Sequence, residues 1–352
     1  MTCSVLSGCL IGTRRFLACH VMPPLLALLC QISLVLYLDC SGTCTFFWKK
    51  AGRKKKRMCV CCTAAQWSSL LWGEYNPDIT DLIDIERPIA RGGYSKIFVM
   101  RRDGVDFAVK RVSNKYSAIF RTEVDALQKL QPHPNLILFH RYQIMTTHSY
   151  IVLEMASTDL YEYSVAAGIV RTESQTRTMF HMMLSAVLHI HNLWVAHRDI
   201  KLENWLIMEN RVIKLSDFGL SYTYKTAVRE LLTDVVGSKF YCLPEIRMGK
   251  PYDGFQCDAW CLCICLFALI TNVFPYSHDT FIRFYNITEN LVCDLRRCHE
   301  HDFDMPDSLC DFFQTCIGSE SRLTVSQMAK HPWVLTDGEK SECGTTLVSP
   351  YE

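Results

Sequence analysis

Neither sign of charge is in excess. Lys and Arg number 37 against 36 Asp and Glu, a net charge of +1, which excludes a whole-molecule attraction to nucleic acid or other acidic polymers. Internal repeats are absent. Beside Cys59, Cys61 and Cys62 there is no second Cys or His pair at zinc-ligand spacing, so that cluster reads as an exposed or lipid-modified patch rather than a metal site. The chain also lacks the smallness of a disulfide scaffold, its 19 cysteines being spread over 352 residues. Cys261, Cys263 and Cys265 sit inside an apolar run and read as small buried hydrophobes in a reducing compartment.

A chain of this length can bury a large core, and such chains usually divide into lobes. Val21–Leu38 carries no formal charge over eighteen residues, the lower limit for crossing a bilayer, although Pro23, Pro24, Gln31 and Ser33 interrupt it. Lys49, Lys50, Arg53, Lys54, Lys55, Lys56 and Arg57 follow as a basic block, against Arg14 and Arg15 before it. The positive-inside rule then puts the C-terminal side in the cytosol. The expected organisation is a short leader over 1–20, a transmembrane or signal-anchor segment over 21–38, a basic, Cys-rich linker over 39–80, a folded domain over 81–334 and a polar tail over 335–352. A secretory signal peptide and a poorly ordered leader are the rival readings of 21–38. The basic block also matches a nuclear-import pattern. Membrane-anchored, cytoplasmic and nuclear placements therefore stay open.

Within 81–334, short β-rich runs come first, at Ile97–Arg101, Phe107–Val112 and Tyr150–Glu154. Apolar-periodic helices follow, among them Thr176–His191 and Asp258–Thr271. That order predicts an α+β small lobe joined to a mainly helical large lobe.

The chemistry is concentrated in His197-Arg198-Asp199-Ile200-Lys201-Leu202-Glu203-Asn204 and, further on, Asp217-Phe218-Gly219. Phosphoryl transfer asks little covalent work of a protein but much positioning and charge neutralisation. One Asp must orient the attacking hydroxyl and take its proton, the role that suits Asp199. A second Asp and an Asn must hold magnesium, which prefers oxygen ligands, and Asp217 and Asn204 suit that role.

These two motifs resemble the catalytic loop and metal-binding motif of the eukaryotic-type serine/threonine protein kinase family. The resemblance covers about 250 residues, from near Asp81 to Val334. It implies a bilobal kinase fold, ATP and Mg2+ as cofactors, and protein substrates rather than nucleic acid. Phe107-Ala108-Val109-Lys110 resembles the strand whose Lys grips the α/β-phosphates, with Glu123 as its ion-pair partner on the regulatory helix. Glu154 and Met155 fall at the nucleotide-binding hinge. The phosphate-covering loop is Ala90-Arg91-Gly92-Gly93-Tyr94-Ser95-Lys96-Ile97. Only Gly92 stands at a family glycine, with Ala90 and Ser95 replacing two others. Since glycine lets backbone approach phosphate without a Cβ in the way, nucleotide binding is expected to be retained but weakened. A pseudokinase scaffold is the alternative that these replacements favour.

Downstream, Gly237-Ser238-Lys239-Phe240-Tyr241-Cys242-Leu243-Pro244-Glu245 resembles the end of the activation segment, and Glu245 is expected to pair with Arg322. Lys201, two places after Asp199, gives the serine/threonine form of the loop, with Ser238 placed to contact both residues. Glu203 and Asp159 stand where basophilic relatives bind Arg upstream of the target hydroxyl. Arg198 belongs to a basic pocket that relatives neutralise with a phosphothreonine. Asp234 stands at that position here, with Thr233 before it.

Overall fold

A computed structural model of the chain describes residues 87–168, 172–226, 228–272, 274–275, 305–317 and 321–335. Three short strands are described in backbone besides, β1 (Val35–Leu38), β2 (Cys44–Phe47) and β3 (Met58–Cys59). The chain divides into two compact units, Met1–Asn76 and Pro77–Glu352. In the first, β1 pairs antiparallel with β2, and β2 with β3. The last four residues of the stretch expected to span a membrane are thus strand. The rest of that stretch, the basic block and the tail after Leu335 lie outside the described residues.

The second unit begins with an antiparallel five-stranded sheet. Its strands are β4 (Ala90–Arg91), β5 (Ser95–Arg102), β6 (Val105–Ser113), β7 (Phe139–Ile144) and β8 (His148–Glu154), in the order β4-β5-β6-β8-β7. Helix α1 (Ser117–Leu130) interrupts it. Phe120, Glu123, Val124, Leu127 and Leu130 are buried there, a spacing of three and four that places them on one face. Glu123 is the charged member of that face. The four apolar neighbours on this face are each worth roughly 1.5–3 kcal/mol when fully buried, enough to carry one carboxylate inward if it finds a cation.

A short strand β9 (Thr158–Asp159) leads into the helical lobe. Helix α2 (Glu173–Asn192) opens on a capping box, in which Gln175 N–H donates to Thr172 Oγ1 at 3.2 Å and Gln175 Oε1 accepts from Thr172 N–H at 3.1 Å. Small strands β10 (Val195–Ala196), β11 (Trp205–Ile207), β12 (Ile213–Leu215) and β13 (Tyr222–Thr223) frame the loops that follow. Then come α3 (Pro244–Arg247), α4 (Gly254–Thr271), α5 (Asp307–Ile317), α6 (Val325–Met328) and α7 (Pro332–Leu335).

Helix α4 is apolar on every face and buried along nearly its whole length, Cys261, Cys263 and Cys265 included. Among the described residues it is the one helix long and apolar enough to cross a membrane. With 83% of it buried inside this unit, it is the core helix of the large lobe.

Candidate active site

Strand β6 puts Lys110 on the same sheet face as Ala108 and Val112, the face packed on the main core. The inward face of α1 brings Glu123 to meet it. Lys110 Nζ donates to both Glu123 carboxylate oxygens at 2.7 Å and to Asp217 Oδ1 at 2.8 Å. Burial opposes the Lys110 charge, but Asp217 and Glu123 outweigh it and hold the ammonium above its ordinary range. For Glu123 burial prevails over the pull of Lys110 and raises the carboxyl. The two shifts do not mirror each other because Lys110 faces two carboxylates and Glu123 one ammonium. Burial also resists ionisation of Asp217, yet Lys110 brings its carboxyl down from 3.8 to about 2.

The loop between β10 and β11 is hung from helix α4. Asp258, fully buried, accepts the His197 N–H through Oδ2 and the Arg198 N–H through Oδ1, both at 2.8 Å. A fully buried carboxylate must be saturated with donors, and His191 Nε2, at 2.9 Å, completes the set. Arg198 takes a left-handed φ of 65° and Asp217 one of 62°. Non-glycine residues occupy that region only where their surroundings fix them. Asp199 follows, buried, where its Oδ2 accepts from Lys201 Nζ and its Oδ1 from Ser238 Oγ, both at 2.8 Å. Lys201 Nζ also donates to Ser238 Oγ at 2.9 Å. Asn204 Nδ2 donates to the Asp199 carbonyl at 2.9 Å, which leaves its Oδ1 free to face a ligand.

Two links join this cluster to that of Lys110. His197 Nε2 lies 2.9 Å from the Ser216 carbonyl, and Ser216 N–H donates to the Asn204 carbonyl at 2.9 Å. Asp199 and Asp217 therefore hang on one continuous hydrogen-bonded frame.

The phosphate loop is a hairpin tip. Ala90 pairs with Ile97 and Arg91 with Lys96, and Gly92 N–H donates to the Ser95 carbonyl at 2.9 Å. Ile97 is in register with Lys110, so the tip projects from the strand pair that carries the lysine. Gly93 has open space where a Cβ would stand, and at Gly92 a Cβ would meet the Ser95 hydroxyl at an ordinary 3.4 Å. Packing does not require either glycine. Tyr94 leans away to form an edge-to-face pair with Tyr116 at the start of α1, centroids 5.1 Å apart.

At the hinge, the Glu154 carboxylate is engaged elsewhere, accepting from Leu138 N–H and Lys214 Nζ at 2.6 Å each. Its side chain serves the junction between sheet and large lobe. Met155 follows, half-buried. At the far side, Glu245 pairs with Arg322 at 2.7 Å. Gly237, at φ 95°, passes so close to the loop that a Cβ would stand 2.9 Å from the Arg198 carbonyl. Asp159 is half-buried and Glu203 exposed, its Oε2 accepting from Tyr241 Oη at 3.2 Å.

Two residues of this frame, His191 and Tyr252, carry no sequence motif of their own. Asp258 opens the run Asp258-Ala259-Trp260, which resembles the start of the family's central large-lobe helix, a likeness that does not reveal its role as anchor. The available signal for that role is a charged residue inside an otherwise apolar run of eighteen.

Among the described residues no three His, Cys, Asp or Glu converge into an all-protein metal cage. Magnesium needs none, since it keeps waters and substrate phosphates beside one or two protein oxygens. Asp217, with 46% of its side chain exposed, and the Asn204 amide oxygen fit that demand. Residues 83–334 match the protein kinase domain family. The mouse serine/threonine-protein kinase SIK1 is 32% identical over 282 residues, which cover 75% of this chain and 34% of that protein. The CBL-interacting serine/threonine-protein kinase 7 of Arabidopsis thaliana is 28% identical over 74% of this chain and 61% of its own length. The zebrafish (Danio rerio) maternal embryonic leucine zipper kinase is 30% identical over 72% and 37%. The chain thus spans about a third to three fifths of these relatives. With a bilobal α+β fold and the lysine, aspartates and asparagine on one frame, the chain belongs to the eukaryotic-type serine/threonine protein kinase family, whose cofactors are ATP and Mg2+.

Proposed function

We propose that this chain phosphorylates Ser or Thr hydroxyls of protein substrates, by in-line transfer of the ATP γ-phosphoryl group. The observation that carries the reading is the shared frame, in which Lys110, Glu123 and Asp217 form one cluster and Asp199, Lys201 and Ser238 the other. Asp199 orients the acceptor hydroxyl and takes its proton. Lys201 steadies that carboxylate and offers positive charge toward the group in flight. Lys110, held by Glu123, positions the α/β-phosphates. Asn204 and Asp217 are the metal ligands, and the metal supplies neutralisation of the phosphate charge.

Changing Asp217→Asn keeps the shape and removes the charged ligand. It is expected to lower kcat about 10³-fold or more, read as phosphate transfer to a peptide with magnesium present. Near-parental turnover would remove the metal role. The pseudokinase alternative draws on Ala90 and Ser95 in place of glycines, and predicts no metal-dependent turnover from the parent.

The substrate class we infer has basic residues N-terminal to the target hydroxyl. Each carboxylate has one oxygen accepting a hydrogen bond, Glu203 Oε2 from Tyr241 Oη at 3.2 Å and Asp159 Oδ1 from the Glu162 N–H at 2.9 Å, but Glu203 is exposed and Asp159 half-buried. Glu203 is therefore the stronger contributor. A degenerate peptide library is expected to return Arg or Lys enrichment upstream of the phosphosite, lost in Glu203→Gln. A flat profile in the parent would end this hypothesis.

A further inference from the structure

The Arg198 side chain is 8% exposed, and a guanidinium so enclosed needs an anion. Its position makes the identity of that anion matter. Its neighbour in sequence is Asp199. Arg198 Nε donates to the Leu220 carbonyl at 2.8 Å, directly after Asp217-Phe218-Gly219. Whatever neutralises Arg198 thereby ties the proton acceptor, the metal-ligand motif and the activation segment into one arrangement.

The chain supplies the anion itself. Asp234 Oδ2 lies 2.6 Å from Arg198 Nη1. Tyr252 backs the pair, its hydroxyl accepting from Arg198 Nη1 at 3.3 Å and donating to the Asp234 carbonyl at 3.1 Å. Two backbone bonds, Leu232 N–H to the Tyr252 carbonyl at 2.8 Å and Tyr252 N–H to the Leu232 carbonyl at 2.9 Å, strap the segment down beside them. The Tyr222 ring lies 5.5 Å from the Arg198 cation and closes the far side. Phosphorylation orders such segments by adding an anion that arginine can pair, and here a carboxylate already occupies that place.

We propose that Asp234 and Tyr252 are positioning residues that hold the activation segment in its substrate-competent arrangement, so that the enzyme turns over without a phosphate on that segment. The proposal rests on the kinase reading above and adds how the site is kept assembled. Thr233, exposed beside Asp234, is not required by it.

The test uses the full chain, phosphatase-treated and shown by mass spectrometry to carry no phosphate between Asp217 and Glu245. This protein is expected to phosphorylate a peptide without a lag. Asp234→Asn is expected to lower kcat about 10-fold or more while the KM for ATP moves less than about 3-fold, and Asp234→Glu to restore most of the loss. Tyr252→Phe, which removes two hydrogen bonds and no charge, is expected to lower kcat several-fold and decides the matter should Asp234→Asn fail to fold. Thr233→Ala should match the parent. Dephosphorylated protein that is inactive until phosphorylated overturns the proposal and leaves the kinase reading standing. So does parental kcat in a folded Asp234→Asn variant or in Tyr252→Phe. Absence of transfer in both phosphorylation states removes the kinase reading and the proposal with it.

Discussion

At the scale of single residues, the site is governed by how charge is held in partial burial. Asp217 shows this most directly, with a carboxyl lowered from 3.8 to about 2 chiefly because Lys110 overcomes the cost of burial. A carboxyl whose folded pKa lies below its unfolded value stabilises the fold above the unfolded value and loses that contribution as pH falls through the folded one. The window is therefore from about pH 4 down to about pH 2. With the side chain 46% exposed, solvent screening keeps the contribution modest. Urea midpoints of the parent and Asp217→Asn are expected to differ above pH 4 and to converge below it. A constant difference down to pH 2 would mean that Lys110 does not hold this charge. Residues such as Asp199, Asn204 and Asp217 are legible in sequence because the chemistry needs them at fixed short spacing. Tyr252 is not, and Asp258 is legible only as the start of a helix and not as an anchor, because the groups they hold, at His197, Arg198 and Asp234, lie many positions away in the chain and meet them only through the fold.

Between elements, the decisive contact is that of α1 with the Asp217-Phe218-Gly219 turn. A Cβ on Gly219 would stand 2.8 Å from Ile119 Cγ2 and 3.7 Å from Glu123 Oε2. Ile119 is branched at Cβ and stiff on its helix, so α1 itself must retreat, and with it Glu123 from Lys110. Gly219→Ala is expected to cost about 1–3 kcal/mol of stability through overpacking and about 10-fold in kcat through the displaced ion pair. Ile119→Ala in the same chain should recover much of the kcat, since it opens the space. Loss of kcat unrelieved by the second change would place the damage elsewhere. The elements themselves are largely anticipated by periodicity, but their starts are not. Helix α2 begins three residues earlier than its apolar pattern because Thr172 caps it, and α4 begins four earlier, at Gly254, because Asp253 accepts the Phe255 N–H at 2.8 Å. Caps are polar, so hydropathy alone passes over them.

For the whole molecule, the division at Asn76 and Pro77 separates the kinase unit from an N-terminal unit of different character. The kinase unit closes its own core, with α4 buried at its centre. A chain beginning at Pro77 is accordingly expected to keep turnover within about 2-fold of the full protein, as a compact unit with its own core should. The charge of the N-terminal unit is local, a block of seven basic residues in a protein whose net charge is +1, and clustered Lys and Arg beside apolar sequence favour an anionic membrane surface. Because Val35–Leu38 is strand, the uncharged residues left before it fall short of the roughly 20 that a spanning helix needs. We propose that residues 1–62 carry the kinase to membranes with its catalytic unit on the cytosolic side. A reporter fused to these residues is expected to sediment with membranes. Persistence through alkaline carbonate would mean that apolar residues insert, and release by carbonate or salt would mean that the basic block holds the surface. A reporter that is soluble, or that gathers in the nucleus, removes the membrane role and leaves the basic block as an import signal.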